Sequence, residues 1–391
     1  MKILIRNILI TVSLITLFFI IFTFRYEKTG FEKTGFDKIV VLDDINFNED
    51  ILSSDREEKM TLEKVDKVPF NEECDSCDFI DDENIVYASR NSKDTFLDVN
   101  DEKLNYFQLN KFNLKSLKEE KIKPVHNKSQ RFIISSPDKK RIFYSEGDEI
   151  LQREIKIVEK NKSFIYNVKD KENINISYKT FVKWMPDSSG YIGMKSTLFF
   201  QDLNNNTTKE ILEAKQLKNI GNIHEISVAK DCKNIFIQSF KSDEEFNSYI
   251  YHLNLDKPYK LNLIFKGNIN KIEGIDGDNF IFSGKFWGDK ALYLYNIKTK
   301  DIKTILNEEV ILFKLSNDRK NIAYVVKDKE GNNTLYAAKI YKNSISHSVM
   351  LYKNLNIKNS TLNWSEDNNK LIAAFYENKE EKSKMYIFYF K

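Results

Sequence analysis

Glycine and proline are both scarce in this chain, 12 and 5 residues among 391. No glycine-rich loop that could cradle a phosphate stands anywhere in it. A turn-rich β protein stays open, because Asn and Asp also enter the left-handed conformation that tight turns need. Histidine is scarce too: His126, His224, His252 and His347 show neither His-x-His nor His-Glu-x-x-His spacing. Each is read as a surface or structural residue, and no metal is expected. There are 3 cysteines. Cys74 and Cys77 form a Cys-x-x-Cys pair, with no second pair to complete a zinc site. Outside the cytoplasm they read as a small disulfide or as two unreactive thiols, since the flanking carboxylates raise a thiol's pKa. Cys232 stands alone. No excess of one charge exists, with 61 basic against 58 acidic residues and a net charge of +3. The two signs are interspersed, so nucleic acid is not an expected partner. No Gly-x-Ser-x-Gly nucleophile elbow occurs. "DGDN" (276–279) lacks the spaced carboxylates and closing Glu of a calcium loop and reads as a turn. No cofactor is expected.

What is present begins with one long apolar run. Ile8–Phe24 carries no charge, and at about 1.5 Å per residue it just spans a bilayer core of roughly 30 Å. Lys2 and Arg6 precede it, which favours a cytoplasmic N-terminus. No small residues of the Ala-x-Ala kind follow it, so it reads as an uncleaved signal anchor. The partition expected is a short tail (1–7), a transmembrane anchor (8–24), a polar stalk (25–67) and a large domain (68–391). The stalk opens with the tandem "EKTGFEKTGF" and carries two candidate strands, "KIVVLDD" and "EKVDKVPF".

The domain repeats one pattern of apolar run, polar turn and apolar run. It appears as "CDFIDDENIVYAS", "FIISSPDKKRIFYS", "TFVKWMPDSSGYIGMK", "HEISVAKDCKNIFIQS", "KIEGIDGDNFIFSG", "LFKLSNDRKNIAYVV" and "TLNWSEDNNKLIAAF". The turn residues are Asp82, Asp138, Asp187, Asp231, Asp276, Asp318 and Asp367, roughly 40–55 residues apart. Each unit continues into alternating strands joined by Asn, Asp and Lys turns. In "ALYLYNIKTKDIKTIL" (291–306), Leu292 and Leu294 should face one way and Tyr293, Tyr295 and Ile297 the other. Ile302 and Leu306 should share a face. Four strands per unit at this period give an all-β propeller of about seven four-stranded blades, with six possible. The last unit holds only three strands. A strand from before the first unit, preferably "EKVDKVPF", would complete it and remove an open edge.

"SPDKKRIFYS", "MPDSSGYIGM" and "LSNDRKNIAYV" resemble the Ser-Pro-Asp-Gly-Lys turn of TolB-like (WD40-like, PD40-type) propeller repeats. "LYLYNIKTKDIKTIL" resembles the turn between the third and fourth strands of that family. The resemblance covers roughly residues 70–391. Where the family has Gly after Asp, this chain has Lys139, Ser188, Arg319 and Asn368. The resemblance implies a propeller fold and no particular activity. Such propellers also cap hydrolases, but those need an α/β domain for which no segment is left over.

The function expected is a non-catalytic binding or scaffold module. It would be held outside a bacterial membrane and face envelope proteins or peptides. The alternative is an enzyme or sugar-binding protein using the channel face on an extracellular polymer. Phe286 and Trp287, in the Gly-flanked "SGKFWGDKA", are the candidate interaction loop.

Overall fold

The structure, a computed structural model, describes residues 60–391 except 70–72, 98–102, 148–161, 177–179, 242–246, 257, 342–343 and 378–382. The expected anchor at Ile8–Phe24, and the stalk up to residue 59, lie outside the described residues. Among the described residues no helix is long and apolar enough to cross a membrane.

β1 (Leu62–Lys67) comes first and is placed below. β2 (Cys74–Phe79), β3 (Asn84–Leu97), β4 (Lys103–Asn113) and β5 (Lys118–Lys121) form a four-stranded sheet in that order. β6 (Ser129–Ser135), β7 (Arg141–Gly147), β8 (Lys162–Asn167) and β9 (Glu172–Ile176) form the next. β10 (Thr180–Trp184), β11 (Gly190–Met194), β12 (Leu198–Asp202) and β13 (Thr207–Leu212) form a third, followed by the short helix α1 (Ala214–Ile220). A seven-stranded sheet then runs in chain order through β14 (Asn222–Val228), β15 (Asn234–Phe240), β16 (Ser248–Asn254), β17 (Leu261–Gly274), β18 (Asn279–Phe286), β19 (Asp289–Asn296) and β20 (Ile302–Leu306). A five-stranded sheet holds β21 (Val310–Leu315), β22 (Asn321–Lys327), β23 (Asn333–Tyr341), β24 (Ser344–Ile345) and β25 (Val349–Lys353), the last two both pairing β23. β26 (Leu355–Trp364), β27 (Lys370–Glu377) and β28 (Ser383–Phe390) complete the count, in a sheet ordered β1-β28-β27-β26.

These sheets make an all-β propeller, but not one of seven separate blades. Five sheets stand alone, and the remainder is the single seven-stranded sheet. The reason lies in β17. Its residues 261–267 pair β16 and its residues 268–274 pair β18, with no turn between the two halves. A loop long enough to break the ladder is missing at that point.

Side-chain alternation drives the packing. On β19, Leu292 and Leu294 join Ile281, Phe313 and Tyr324 on one side, while Tyr293 and Tyr295 join Phe265, Phe280 and Phe282 on the other. That is the expected split. Burying a large apolar side chain contributes roughly 1.5–3 kcal/mol, so such double-sided strands dominate the stability. Ile302 and Leu306 do not share a face, contrary to the simple alternation. Leu292 faces Leu306 but Tyr293 faces Thr304, so a bulge shifts the register by one residue. Ile302 therefore packs with the Tyr293 cluster and Leu306 with the Leu292 cluster.

β1 takes the open edge of the last sheet. Leu62 sits opposite Phe390 and Lys67 opposite Tyr386, and Thr61 exchanges both main-chain hydrogen bonds with Lys391 at 3.1 and 3.0 Å. Met60 is buried in the same cluster as Trp364, Phe388 and Phe390. The last sheet in turn abuts the first. Asn363 Nδ2 donates to the Cys77 carbonyl at 2.8 Å, and Cys74 N donates to Ser383 Oγ at 3.0 Å. First and last sheets are therefore neighbours, and β1 covers the edge that β28 would otherwise expose.

Candidate binding site at the mouth of the central channel

The repeated turns build the site. In three of them a Ser hydroxyl donates to the turn Asp at 2.6 Å: Ser136 to Asp138, Ser316 to Asp318 and Ser365 to Asp367. The Asp carboxylate then accepts the N–H two residues on, as Asp187 does from Ser189 (3.0 Å) and Asp231 from Lys233 (2.9 Å). This is the Asx-type turn expected of the motif. The first unit differs in detail. Its working carboxylate is Asp81, which accepts from Glu83 N and Asn84 N at 2.8 Å, while Asp82 pairs Lys370 at 3.1 Å. "IDGDN" at 275–279 closes in the same way, with Asp276 accepting from Asp278 N and Asn279 N at 2.9 Å. The calcium-like fragment is thus a turn, and among the described residues no cluster could hold a metal.

The residue after the turn Asp is left-handed in five units: Lys139, Ser188, Cys232, Arg319 and Asn368 have φ of 56, 58, 59, 61 or 63°. A non-glycine residue there is strained, but its side chain gains a task. Ser188 Oγ accepts from Asp138 N in the preceding sheet (2.9 Å), and Asn368 Oδ1 accepts from Asn317 N in its own neighbour (2.9 Å). Lys139 reaches Asp78 at 2.8 Å, both buried. Arg319 stretches across to the Val228 carbonyl at 3.1 Å.

One step before each turn, a single side chain of each innermost strand faces the axis. In chain order these residues are Asp78, Ile134, Lys183, Ser227, Glu273, Lys314 and Asn363. All but Ser227 line one cavity of about 90 Å³, together with Trp184, Trp364 and Arg319. Four of the seven bind the backbone of the next innermost strand. Asp78 accepts from Ser135 N (3.1 Å), Ser227 from Gly274 N (2.8 Å) and Glu273 from Leu315 N (3.1 Å), while Asn363 donates to Cys77 O. Ile134 is apolar and partly exposed. Lys183 and Lys314 do nothing of the kind: neither ammonium has a hydrogen-bond or ion-pair partner among the described residues.

The electrostatics follow from that crowding. Burial lowers the Lys183 pKa to about 8, and the Lys314 charge adds to the effect. Burial also lowers Lys314, against the pull of Glu273. Burial alone would push the Glu273 carboxyl up. The surrounding cations, Lys314 foremost, outweigh it and hold that carboxyl low. Lys271, one layer deeper, lies 3.6 Å from Glu225 and 3.9 Å from Glu273. Those two carboxylates overturn its burial and hold its pKa high. Arg319 stands 3.7 Å from Glu273. The arrangement can attract and hold negative charge. It places no nucleophile beside a base.

The residues singled out in the sequence lie elsewhere. Phe286 is buried at 4% exposure, while Trp287 is 49% exposed. Trp287 and Gly288 (φ 49 and 97°) form a two-residue hairpin loop between β18 and β19. That loop is at the end of the sheet remote from the Asp turns. Phe286 packs on Trp287 with ring centroids 4.2 Å apart, and on Tyr293. Cys74 and Cys77 are buried free thiols on β2. The neighbouring Cys74 thiol, then burial, push the Cys77 thiol well above its usual value. His252 is half-buried against Asn234 at 2.7 Å, and His126 is exposed 3.8 Å from Asp94. Lys183, Glu273, Lys314 and Arg319 were not legible as a site one unit at a time. Counted back from the turn carboxylates, Lys183 and Lys314 stand four residues before Asp187 and Asp318, while Asp78 and Glu273 stand three before Asp81 and Asp276, so the column shows only once the two turn lengths are told apart.

No protein-family model matches this chain, and no curated protein matches it in sequence. Solved structures do. The β-propeller domain of the Trilobed protease from Pyrococcus furiosus superposes with a TM-score of 0.53 at 13% identity, covering 81% of this chain and 94% of that one. The fold is a β-propeller. A post-proline cleaving enzyme from Rickettsia typhi gives 0.54 at 11% identity, over 82% of this chain and 51% of that one. TolB from Acinetobacter baumannii, the namesake of the repeat resemblance, gives 0.44 at 13% identity, over 72% and 76% of the two chains. These likenesses concern the fold alone.

Proposed function

We propose that this propeller is a non-catalytic binding or scaffold module, tethered outside a bacterial membrane by Ile8–Phe24, that engages an envelope protein or peptide at the Asp-turn mouth of its channel. One observation carries the reading: the axial ring presents two partnerless lysines, and its carboxylates are committed to backbone N–H groups and to cations. An enzymatic channel would instead need a free carboxylate pair or a His beside a nucleophile. The ring reads best as seven blade positions, with the seven-stranded sheet counting as two. The support for this count is the hydrophobic cluster of Phe236, Ile250, Phe265, Phe280 and Phe282, which fills the space between the two halves of that sheet.

The experiment is crosslinking in intact cells of the full-length protein with a C-terminal tag, followed by purification in detergent and mass spectrometry. A reproducible envelope protein, lost when Lys183 and Lys314 are both changed to Met, is the expected result. A chain that captures no protein above background overturns the reading.

A further inference from the structure

We propose that the channel mouth is an oxyanion site, in which Lys183 and Lys314 hold a carboxylate or phosphate group carried in by the ligand. The inference rests on the binding reading above and names the chemistry it recognises.

Charge makes the first case. Lys139, Lys183, Lys314 and Arg319 line the cavity, against Asp78 and Glu273. Four cations less two carboxylates leave a surplus of +2 in its lining. Asp78 is paired with Lys139, and Glu273 has Arg319 at 3.7 Å, although the Glu273 Oε1 atom is itself buried without a hydrogen-bond partner. The surplus is therefore Lys183 and Lys314 themselves. After burial, the Lys314 charge is the next largest influence lowering the Lys183 pKa, as expected of like charges near one another.

Unsatisfied donors make the second. Arg319 Nε and Asn317 Nδ2 are buried in the wall of the same cavity and have no hydrogen-bond partner. A buried donor without a partner costs about 1–3 kcal/mol, so its persistence asks for an acceptor. Guanidinium and ammonium groups together are the usual recognition set for carboxylate and phosphate oxygens.

Rigidity makes the third. The strands bearing the two lysines are pinned by tryptophans. Trp184, next to Lys183, donates its indole N–H to Ile134 O (3.0 Å), and Trp364 donates to the carbonyl of Lys314 itself (3.1 Å). At roughly 30 Å³ per water, the cavity of about 90 Å³ has room for about three waters, or for one small oxyanion group. That is the size of a side-chain or terminal group, not of a folded segment.

The test is the melting temperature of the full-length protein in detergent. It is followed across a titration of sodium phosphate, sodium acetate or sodium chloride at matched ionic strength. Wild type is compared with Lys183→Met, Lys314→Met and the exposed control Lys209→Met. A saturable rise in phosphate or acetate above chloride is expected in wild type and in the control. Both channel variants should lose it, with the anion bound at least tenfold more weakly by calorimetry. Lys183→Arg, which keeps the charge, should retain most of the rise and guards against a variant that merely fails to fold. A response to phosphate alone identifies a phosphorylated ligand, and a response to acetate identifies a carboxylate-bearing one. Equal rises in all variants, or none beyond chloride, overturn the inference. If anions fail but the cellular crosslink persists in the double Met variant, the inference falls and a binding role survives. If anions bind but no partner is captured, the opposite holds.

Discussion

Removing the charge of Lys183 should make the unliganded protein more stable, an unusual outcome for a substitution at a polar position. Lys183→Met keeps an unbranched chain of similar length and deletes the ammonium. The Lys183 pKa falls from 10.5 to about 8 in the fold. At about 1.4 kcal/mol per pH unit, charging this group in the fold costs up to roughly 3.5 kcal/mol. Solvent reaches the ammonium along the channel and screens part of that, so about 1–3 kcal/mol is expected near neutral pH. With an unfolding entropy of about 2.1 cal/mol/K per residue over roughly 330 residues, this raises the melting temperature by about 1.5–4 °C. The pH dependence carries a definite sign. Between pH 8 and 10.5 the unfolded wild-type chain keeps a proton that the folded chain has released. Wild-type stability therefore rises with pH across that window, relative to the variant. The gap between the two should be full below pH 8 and should close as pH approaches 10. Calorimetric melts of both proteins at pH 7, 8, 9 and 10 measure it, and other titrating groups cancel in the difference. A variant that melts lower at pH 7, or a gap independent of pH, would refute the electrostatic reasoning.

Three further outcomes are expected. Met60→Ala removes a side chain 4% exposed beside Trp364 and Phe390, so it should cost about 2–4 kcal/mol in urea melts; a neutral result would mean that β1 contributes little to closing the ring. Lys171, exposed with φ of 56° at the β8–β9 turn, should gain about 0.5–1 kcal/mol as Lys171→Gly by relief of left-handed strain, measured in the same melts. Cys77 keeps its proton well past the usual range and Cys232 is raised to about 11 by burial. Native protein at pH 8 should therefore react with a thiol reagent at these positions far more slowly than urea-unfolded protein does; for such groups, stability is full below the usual thiol value and falls as pH climbs toward the folded one.

Much of the architecture was legible because it depends on local chemistry. The Ser-x-Asp turns at 136–138, 316–318 and 365–367 close through their own side chains, and a local hydrogen bond leaves a local signature. Alternation on β19 was readable for the same reason. Ile302 and Leu306 were not, because a single bulge reverses parity and nothing in the residues between them announces it. The pattern points equally to Asp81 and Asp82, and only the backbone distinguishes them: Asp81 accepts the turn N–H groups. The merged sheet escaped notice because a missing loop is visible only against a correct register. The lysine ring escaped for a different reason. Each lysine is ordinary in its own strand, and its meaning comes from strands about 130 residues apart that only the closed ring brings together.

The pairing of β1 with β28 also dictates an order of assembly. Leu62 and Phe390 are opposite one another but 390 − 62 = 328 positions apart in the chain. Loop closure over such a span costs about 5 kcal/mol, hardly more than for a span half as long. The difficulty is one of timing. During synthesis β1 emerges before every other described strand, and its partner emerges after all of them. The strand must stay unpaired while the intervening sheets form, and its exposed backbone is then open to foreign strands. Glu63, Lys64, Asp66 and Lys67 put charge along most of that six-residue strand, which suits a segment that has to wait in solvent before it docks. Ring closure is therefore expected to be the final and slowest folding event, as high contact order requires.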